Sequence, residues 1–311
     1  MDIKDLHYCC LDMQNPNWID IGGNDEEPSV IHRGISAYEM DQDPADLEYE
    51  AGDLPAPEDR QFASTLANGL EILRRFTPVK PLLGNNELAE RTGLSRPTIS
   101  RYTYTLCKLG YLRTDDATGK YRLAPAVISL GYPLLASIAF RQMARPLMNE
   151  LARSLQCSVS MGIRDRLSIV YVETSRSDTR KSMQFSDIGL RYPIASTAIG
   201  HAFIAGCDVA TRDSILNAIR VRTPSVWDRC QAPLLQAQKE FAQKGFCSSL
   251  GEQHPDFHAV GVPMGRPVDG ELLVFNCVVS INRVKRNTIE TLFGPRLMAM
   301  VEQLRSTTFI Q

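Results

Sequence analysis

The sequence has no apolar stretch long enough to cross a bilayer, which takes about 20 consecutive apolar residues. Its most apolar run, residues 127–140, is interrupted by Gly131 and Pro133. The N-terminal segment MDIKDLHYCC is acidic and has no apolar core of the kind that a signal peptide requires. These absences argue against a membrane protein and a secreted protein, and they predict a cytoplasmic location.

Paired cysteines are also missing. The eight cysteines form no CxxC motif and are scattered over the chain at Cys9, Cys10, Cys107, Cys157, Cys207, Cys230, Cys247 and Cys277. Several lie in apolar or helical runs, where cysteine packs as a small hydrophobic residue. This use of cysteine is typical of a reducing compartment.

No motif of a common enzyme class is present, since the chain contains no GxSxG, GxxxxGK[ST] or HExxH segment. The five histidines are not placed beside a plausible nucleophile. His254 and His258 have the i, i+4 spacing of a metal pair on a helix, but Pro255 opposes a helix there. The sequence therefore predicts a protein that is not an enzyme and that holds no metal or cofactor.

Charge is divided unevenly along the chain, although the net charge is only −2. Residues 1–58 contain fifteen acidic and two basic residues, whereas residues 59–311 contain 21 acidic and 32 basic residues. The basic body fits a nucleic-acid partner. The acidic segment has the composition of a disordered arm. Two interpretations of it stay open: a tail without a role, including one from a wrongly assigned start codon, or an arm that competes with DNA for the basic face.

Residues 85–123 have the pattern of a winged helix-turn-helix. A short helix over 87–92 precedes the turn Gly93-Leu94, and a second helix then begins with Ser95 as its N-cap and Pro97 in its first turn. The inward face of this second helix is predicted to hold four residues at helical spacing, Ile99, Tyr102, Leu106 and Leu109.

The opposite face of that helix and the following wing carry polar residues of the kind that DNA grooves require: cations and hydroxyls for phosphates, and donors for base edges. Two short strands, 111–113 and 120–123, flank a loop with turn-forming residues and make up the wing. The predicted DNA-binding residues are Ser95, Arg96, Pro97, Thr98, Ser100, Arg101, Tyr104, Lys120 and Arg122. The two wing cations are expected to contact phosphate or the minor groove and to add salt-dependent affinity.

Four segments are predicted: the acidic arm over 1–58, the DNA-binding domain over 59–124, a linker helix region over 125–145, and a sensor domain over 146–311. The first helix of the DNA-binding domain is expected to end near Phe76. Within the linker, helix breaks are expected at Gly131-Tyr132-Pro133 and at Arg145-Pro146. A helical linker between two domains is a natural dimer contact.

From Cys157 the hydrophobic period changes from that of a helix to that of a strand. A hairpin is predicted over 159–172 with its turn at 164–166, and further strands are predicted over 182–185, 246–249, 259–263 and 272–281. Helices are predicted over 196–205, 209–219, 231–244 and 288–304. Strands at both ends of the domain with helices between them indicate an α+β architecture.

Over residues 60–308 the chain resembles the IclR-type bacterial transcriptional regulators. The resemblance is carried by ELAERTGLSRPTISRYTYTLCKLGYL, GKYRLAPAVISLG, RQMARPLMNELARSL, YPIASTAIGHAFIAG, FCSSLGEQHPDFHAVGVPM and LLVFNCVVSI. No single motif is decisive, but their order and spacing together are specific. The resemblance implies an N-terminal winged helix-turn-helix joined by a linker helix to a GAF-like α/β effector-binding domain, in a homodimer or homotetramer.

The resemblance also implies an effector pocket on the curved sheet, closed by the loop and helix at GLRYPIASTAIG. By motif match, nine residues are expected to line or shape it: Gly189, Leu190, Ala195, Thr197, Gly200, Ser249, Ala259, Cys277 and Val279. Many family members carry a cysteine where this chain has Ala259. Ser196 and Thr197 are first interpreted as a helix cap. A second interpretation is that they begin a helix whose N-terminal N–H groups bind a carboxylate. Arg191 is either a partner for an anionic effector or a surface residue.

The sequence thus predicts a transcription factor that binds a double-stranded DNA operator and senses a small metabolite, an organic acid or an aromatic compound, to control a catabolic operon. An alternative stays open, in which the C-terminal domain is a ligand-independent oligomerisation module.

Overall fold

The computed structural model describes residues 61–177, 187–251 and 254–308. The predicted acidic arm over 1–58 and the predicted strand over 182–185 lie outside these ranges and stay predictions.

The N-terminal part is a winged helix-turn-helix, as the sequence predicts. It consists of α1 (Ser64–Arg74), α2 (Asn85–Thr92), α3 (Arg96–Lys108) and an antiparallel hairpin of β1 (Leu112–Thr114) and β2 (Tyr121–Leu123). Apolar side chains from all three helices and β1 form one core, with Ile72, Leu88, Ile99, Leu106 and Leu112 buried. The expected inward position of Leu109 is wrong, because Leu109 is the C-cap of α3 and is 61% exposed.

The linker consists of α4 (Ala126–Ser137) and α5 (Phe140–Leu155), which meet at an angle of 87°. Both predicted breaks are wrong, because Pro133 and Pro146 lie inside these helices. A proline removes one intrahelical hydrogen bond, but the buried apolar face of α5 holds its turns together. The chain leaves the helix instead at Ile138, whose backbone is non-helical.

α4 is apolar and buries none of its residues within the chain. Its exposed large side chains are Ile128, Leu130, Tyr132 and Leu134. Over the described ranges no single helix has the length and apolar character needed to cross a membrane, and α4 and α5 pass that test only when taken together across their bend.

The C-terminal part is built on a six-stranded antiparallel sheet with strand order β5-β4-β3-β8-β7-β6. Its strands are β3 (Ser158–Asp165), β4 (Ser168–Arg176), β5 (Arg191–Pro193), β6 (Cys247–Ser249), β7 (Phe257–Val268) and β8 (Glu271–Ser280). Its helices are α6 (Ala198–Gly206), α7 (Val209–Arg222), α8 (Pro224–Lys244) and α9 (Arg286–Thr288), then a π-helical turn (Ile289–Phe293) and α10 (Gly294–Thr308). Apart from the undescribed 182–185 segment, the predicted hairpin, strands and helices of this domain are confirmed, with α8 starting seven residues earlier than expected.

The sheet has helices on both faces. On one face Val159, Met161, Val260 and Phe275 pack with α5 and α10 in the larger core. On the other face α6 lies directly on the strands. Gly261 allows this approach, because a Cβ there would lie 2.3 Å from the carbonyl oxygen of Ala198, whereas a Cβ at Gly162 would first meet Ile169 of β4 and only then Ile199 of α6.

We predict that Gly261→Ala displaces α6 and lowers the free energy of unfolding by about 1–3 kcal/mol, the usual range for overpacking, because backbone rather than a flexible side chain blocks the methyl group. Urea denaturation of the full chain measures this. Gly69→Ala in α1 is the control, since nothing lies within 4 Å of its added Cβ. Equal stability of the two variants would contradict the proposed close contact.

Candidate functional site

The turn between α2 and α3 is built by local backbone chemistry. Gly93 ends α2 in the left-handed conformation, with φ of 70°, and its N–H donates to the carbonyl of Ala89. Ser95 then caps α3: its Oγ accepts from the N–H of Thr98 at 3.4 Å and lies 2.8 Å from the Thr98 hydroxyl. Pro97 lies in the first turn, where it removes no helical hydrogen bond. The predicted start of the second helix is confirmed.

The outward face of α3 presents cations, hydroxyls and one aromatic ring. Arg96, Ser100, Arg101 and Tyr104 are exposed. The Ser100 hydroxyl accepts from Asn85 Nδ2 at 3.1 Å, which orients it from α2. Lys108 Nζ lies 5.5 Å from the centre of the Tyr104 ring. With Ser95 and Pro97 exposed and Thr98 half-buried beside them, the predicted DNA-binding residues of α3 share one surface.

In the wing, Lys120 is already paired. Its Nζ lies 3.0 Å from Glu87 Oε2, and the same oxygen accepts from the N–H of Gly84 at 2.8 Å. The Gly84 hydrogen bond and Lys120 together lower the pKa of Glu87 below its usual value. Both side chains are more than 40% exposed, so the pair is weak and a phosphate can compete for Lys120.

Arg122 of β2 lies directly opposite Arg113 of β1. Two like charges facing each other across a hairpin are unfavourable unless an anion lies between them. Arg113 was missed from the sequence because its pairing depends on the strand register, which spacing alone does not show.

The candidate effector site lies on the α6 face of the large sheet. Strand pairing aligns Thr174, Ser160, Asn276 and Gly261 in one row across β4, β3, β8 and β7. Two residues further along each strand, a second row joins Arg176, Ser158, Val278, Ala259 and Ser249. The polar members of these rows on the three central strands β4, β3 and β8 are called here the polar floor: Ser158, Ser160, Thr174, Arg176 and Asn276.

The polar floor is buried at Ser158, Ser160 and Asn276 and half-buried at Thr174 and Arg176, and its polar groups are only partly satisfied by protein partners. Ser160 Oγ lies 3.0 Å from Thr174 Oγ1, and Asn276 Nδ2 donates to the Tyr171 hydroxyl at 2.6 Å. Within the described part of the chain, Asn276 Oδ1 and Arg176 Nε have no hydrogen-bond partner although both atoms are buried. Arg176 Nη2 lies 3.5 Å from Asp187 Oδ2, which is an ion-pair distance and not a close hydrogen bond.

Burial and the Asn276 hydrogen bond shift the pKa of the Tyr171 hydroxyl in opposite directions. The ring is 1% exposed, and burial, followed by the neighbouring Tyr192, raises the pKa of the Tyr171 hydroxyl well above its usual value despite that hydrogen bond. The hydroxyl is therefore neutral at physiological pH and offers a fixed dipole to the polar floor.

The predicted cap of α6 is present. Thr197 Oγ1 donates to the carbonyl of Pro193 at 2.6 Å and accepts from the N–H of Gly200 at 3.0 Å, so its hydroxyl is occupied by the cap. A Cβ at Gly200 would lie 2.4 Å from the backbone of Ile194. These two residues therefore shape the turn that enters α6.

Other predicted pocket residues lie around the floor. Gly189 and Leu190 run beside β4: Gly189 N donates to the carbonyl of Tyr171 at 2.8 Å, and Tyr171 N donates to that of Leu190 at 2.9 Å. Ala259 and Ser249 belong to the second row. Arg191 is bound within the protein, since its Nη1 lies 2.7 Å from Asp165 Oδ2.

Two predicted residues, Cys277 and Val279, lie on the opposite face of the sheet, buried in the core with α5 and α10. Strand residues alternate between faces, so the residues of β8 that face α6 are their neighbours Asn276 and Val278. These two residues of the motif match therefore lie away from the candidate site on the α6 face. The segment LLVFNCVVSI is so uniformly apolar that its sequence does not show which of its residues face α6 and which face α5 and α10.

A cavity of about 540 Å³ lies between the segment that enters α6, β6 and α8. Ala195, Ser196 and Ser249 contribute to its wall, with Cys230 and Glu240 of α8 opposite. Two of the predicted pocket residues, Ala195 and Ser249, thus line a cavity. Ser249 also belongs to the second row, at its β6 end, so the cavity and the polar floor meet different parts of the same row.

Comparison with known proteins agrees with this geometry. Residues 65–116 match the IclR helix-turn-helix domain, and residues 133–305 match the bacterial transcriptional regulator IclR C-terminal domain. The chain belongs to the IclR family. It is therefore a DNA-binding transcriptional regulator, with the helix-turn-helix followed by the α/β domain that this family shares.

Individual IclR-family relatives cover most of the chain. The HTH-type transcriptional regulator TsaQ1/TsaQ2 of Comamonas testosteroni is 31% identical over 243 residues, which are 78% of this chain and 87% of that protein. The crystal structure of an IclR family transcriptional regulator from Brucella abortus is 39% identical, with a TM-score of 0.70, covering 86% of this chain and 98% of that chain. The fold is shared at 17% identity and a TM-score of 0.58, over 78% of this chain and 99% of the other, with an IclR homolog from Microbacterium hydrocarbonoxydans complexed with 4-hydroxybenzoate.

Proposed function

We propose that this IclR-family chain is a ligand-responsive regulator of a catabolic operon, in which α3 reads an operator and the polar floor binds a small carboxylic acid. One observation carries the effector assignment: Asn276 Oδ1 and Arg176 Nε are buried polar atoms without a hydrogen-bond partner in the described structure. An unsatisfied buried polar group costs about 1–3 kcal/mol, so a native fold that keeps two of them on one face of a sheet calls for an explanation. A bound effector supplies the missing partners.

The DNA-reading assignment rests on the shared exposed surface of α3. Arg96, Ser100 and Arg101 are exposed in the N-terminal half of this helix. The N-terminal part of a recognition helix is the part that contacts base edges. Arg113 and Arg122, which face each other in the wing, fit one backbone phosphate. We therefore assign Arg96 and Arg101 to base edges and the wing to phosphate.

We predict that Arg101→Ala weakens binding of the full-length protein to its operator by about 10- to 100-fold, because a bidentate arginine–base contact is worth roughly 1–3 kcal/mol. The operator is first selected by the protein from random DNA, and affinity is then measured by fluorescence anisotropy. Arg153→Ala is the matched control, since Arg153 is an exposed arginine on α5. Equal affinity of the two variants would refute the recognition-helix assignment.

The chemistry of the polar floor favours a ligand with a carboxylate and a hydrogen-bond donor. Arg176 offers a guanidinium edge to a carboxylate, and Asn276 Oδ1 is an acceptor that needs a donor such as a hydroxyl. Because β3 separates β4 from β8, the two groups lie on strands about 10 Å apart. That separation suits a hydroxylated aromatic acid, and 4-hydroxybenzoate, bound by a distant relative, is the natural first probe.

We predict that 4-hydroxybenzoate binds the wild-type chain and that Arg176→Met or Asn276→Leu weakens its binding by at least about tenfold, the equivalent of one charge-assisted hydrogen bond. Isothermal titration calorimetry measures the change. Cys230→Ala is the control, because Cys230 lines the cavity of about 540 Å³ but is not part of the floor. If only the Cys230 variant loses binding, the ligand binds in that cavity and not on the polar floor.

A ligand-independent oligomerisation domain is the second candidate. It is favoured by Ala259, which replaces the cysteine expected at that position of the pocket, and by Thr197, whose hydroxyl is fully used in capping α6. Absence of any thermal stabilisation by a broad panel of organic acids would support this alternative over a sensor.

We also infer that the chain forms a homodimer or a homotetramer through α4. This helix joins the two domains and exposes large apolar side chains while burying none of its residues within the chain. An exposed apolar patch on a segment between two DNA-reading heads fits a second copy of the same chain, since two heads match two half-sites of an operator.

We predict that Ile128→Asp converts the assembly to a smaller species, because it places a charge in the apolar contact of α4. Light scattering coupled to size exclusion measures the mass. Val221→Asp, at an equally exposed apolar position on α7, is the control and should leave the mass unchanged. A wild-type monomer, or an Ile128 variant of unchanged mass, would refute the contact.

A further inference from the structure

Glu173 of β4 is a buried carboxylate, 4% exposed, that is held by two arginines of α5. Arg145 binds it as a fork, with Nε 3.2 Å from Oε1 and Nη2 2.8 Å from Oε2. Arg141 Nη2 adds a third contact at 3.2 Å from Oε2. Bidentate pairing gives this contact directional as well as electrostatic strength. The three residues are called here the Glu173 clamp.

The Glu173 clamp extends across the bend of the linker. Arg141 Nη1 donates to the carbonyl of Leu135 at 2.8 Å, and Leu135 lies in the last turn of α4. One guanidinium therefore bridges the end of α4 to a strand of the sensor sheet, while its own backbone lies in α5. Because a guanidinium is planar and rigid, a shift of Glu173 changes the position of the α4 carbonyl that Arg141 can reach.

Strand β4 carries the clamp and part of the polar floor side by side in sequence. Thr174, the next residue after Glu173, contacts Ser160 on the floor, and Arg176 lies two residues further. A β-bulge interrupts the pairing here, since Met161 pairs with Glu173 but Gly162 pairs with Tyr171. A bulge redirects the side chains beside it, and it allows Glu173 to point to α5 while Tyr171 and Thr174 face α6.

The inner corner of the bend is not closely packed. A cavity of about 330 Å³ lies there, lined by residues of α4 and α5 that include Tyr132, Ala136, Arg141 and Arg145. Ile138 and Leu135 anchor the corner to the sensor core, but the space beside them leaves room for the angle to change. The charged clamp thus spans a corner whose apolar packing is incomplete.

We propose that the Glu173 clamp sets the angle between α4 and α5 and that effector binding on the polar floor alters operator affinity through it. Ligand contact with Thr174 or Arg176 displaces β4 by a small amount, and the clamp carries that displacement to the end of α4 and so to the DNA-reading domains. Glu173 is a positioning residue that touches neither DNA nor effector. The inference rests on the proposed function of the floor, but the clamp can be tested without a ligand.

The test compares full-length wild type with Glu173→Gln, which keeps the shape of the side chain and removes its charge. Hydrogen exchange should become faster in peptides covering residues 126–142, and affinity for the selected operator should fall by about 5- to 150-fold, the range typical of coupling between sites. Arg145→Lys is a milder second variant that is expected to fold, since Arg145 is 49% exposed; it keeps the charge, loses the fork and should give a smaller effect of the same kind. Glu290→Gln, which removes the ion pair of Glu290 with Lys244 elsewhere in the domain, should change neither readout.

A purely structural role would lower the melting temperature of the Glu173 variant and leave exchange at the bend and operator affinity as in wild type below that temperature. That result would overturn the proposal. Where 4-hydroxybenzoate changes the operator affinity of the wild type, the Glu173 variant should still bind the acid and lose the response; a retained response would also overturn it. If the acid does not bind the wild type, the proposed effector class is wrong. The role of the Glu173 clamp is then tested by hydrogen exchange and operator affinity alone.

Discussion

The close approach of α6 to the sheet is the constraint on which the sensor domain depends. At Gly261 a helix backbone and a strand backbone come so near that no side chain fits between them. Helix α6 thereby packs directly on this face, with Ile199 and Phe203 buried against Ile169 and Val274 of the sheet. The polar residues Thr174, Ser160 and Asn276 lie in the same row as Gly261, and Ser158 and Arg176 lie two residues further along the strands. Gly261 therefore sets how closely α6 packs against this face of the sheet.

Strand β4 connects the functions proposed for this IclR-family chain. On its α6 side, Thr174 and Arg176 belong to the polar floor. On its other side, Glu173 binds Arg145 of the linker. Because successive residues of a strand point to opposite faces of the sheet, a displacement of β4 moves side chains on both faces at once. The same strand also receives the Gly189-Leu190 segment through hydrogen bonds at Tyr171. The polar floor, the linker and the loop therefore all contact one element.

The sequence predicted the DNA-reading unit closely because its signals are local: Gly93 for a left-handed turn, Ser95 for a cap, and Pro97 for a first turn. It failed at the linker, where Pro133 and Pro146 indicated breaks that the helices do not have. Packing of the α5 face against the sensor core outweighs one lost hydrogen bond. Of the residues that the sequence assigned to an effector pocket, Ala195 and Ser249 line a cavity, whereas Cys277 and Val279 are buried in the core with α5 and α10.

By itself the sequence determined which segments are helix and strand, the winged helix-turn-helix, and the family, because these follow from periodicity, caps and ordered motifs along the chain. Only the tertiary structure decided what those segments bring together. The facing arginines Arg113 and Arg122, the polar floor and the Glu173 clamp each join residues that are far apart or out of phase in sequence. Strand register and helix placement determine such pairs, and both are set by the packing of the whole domain against itself.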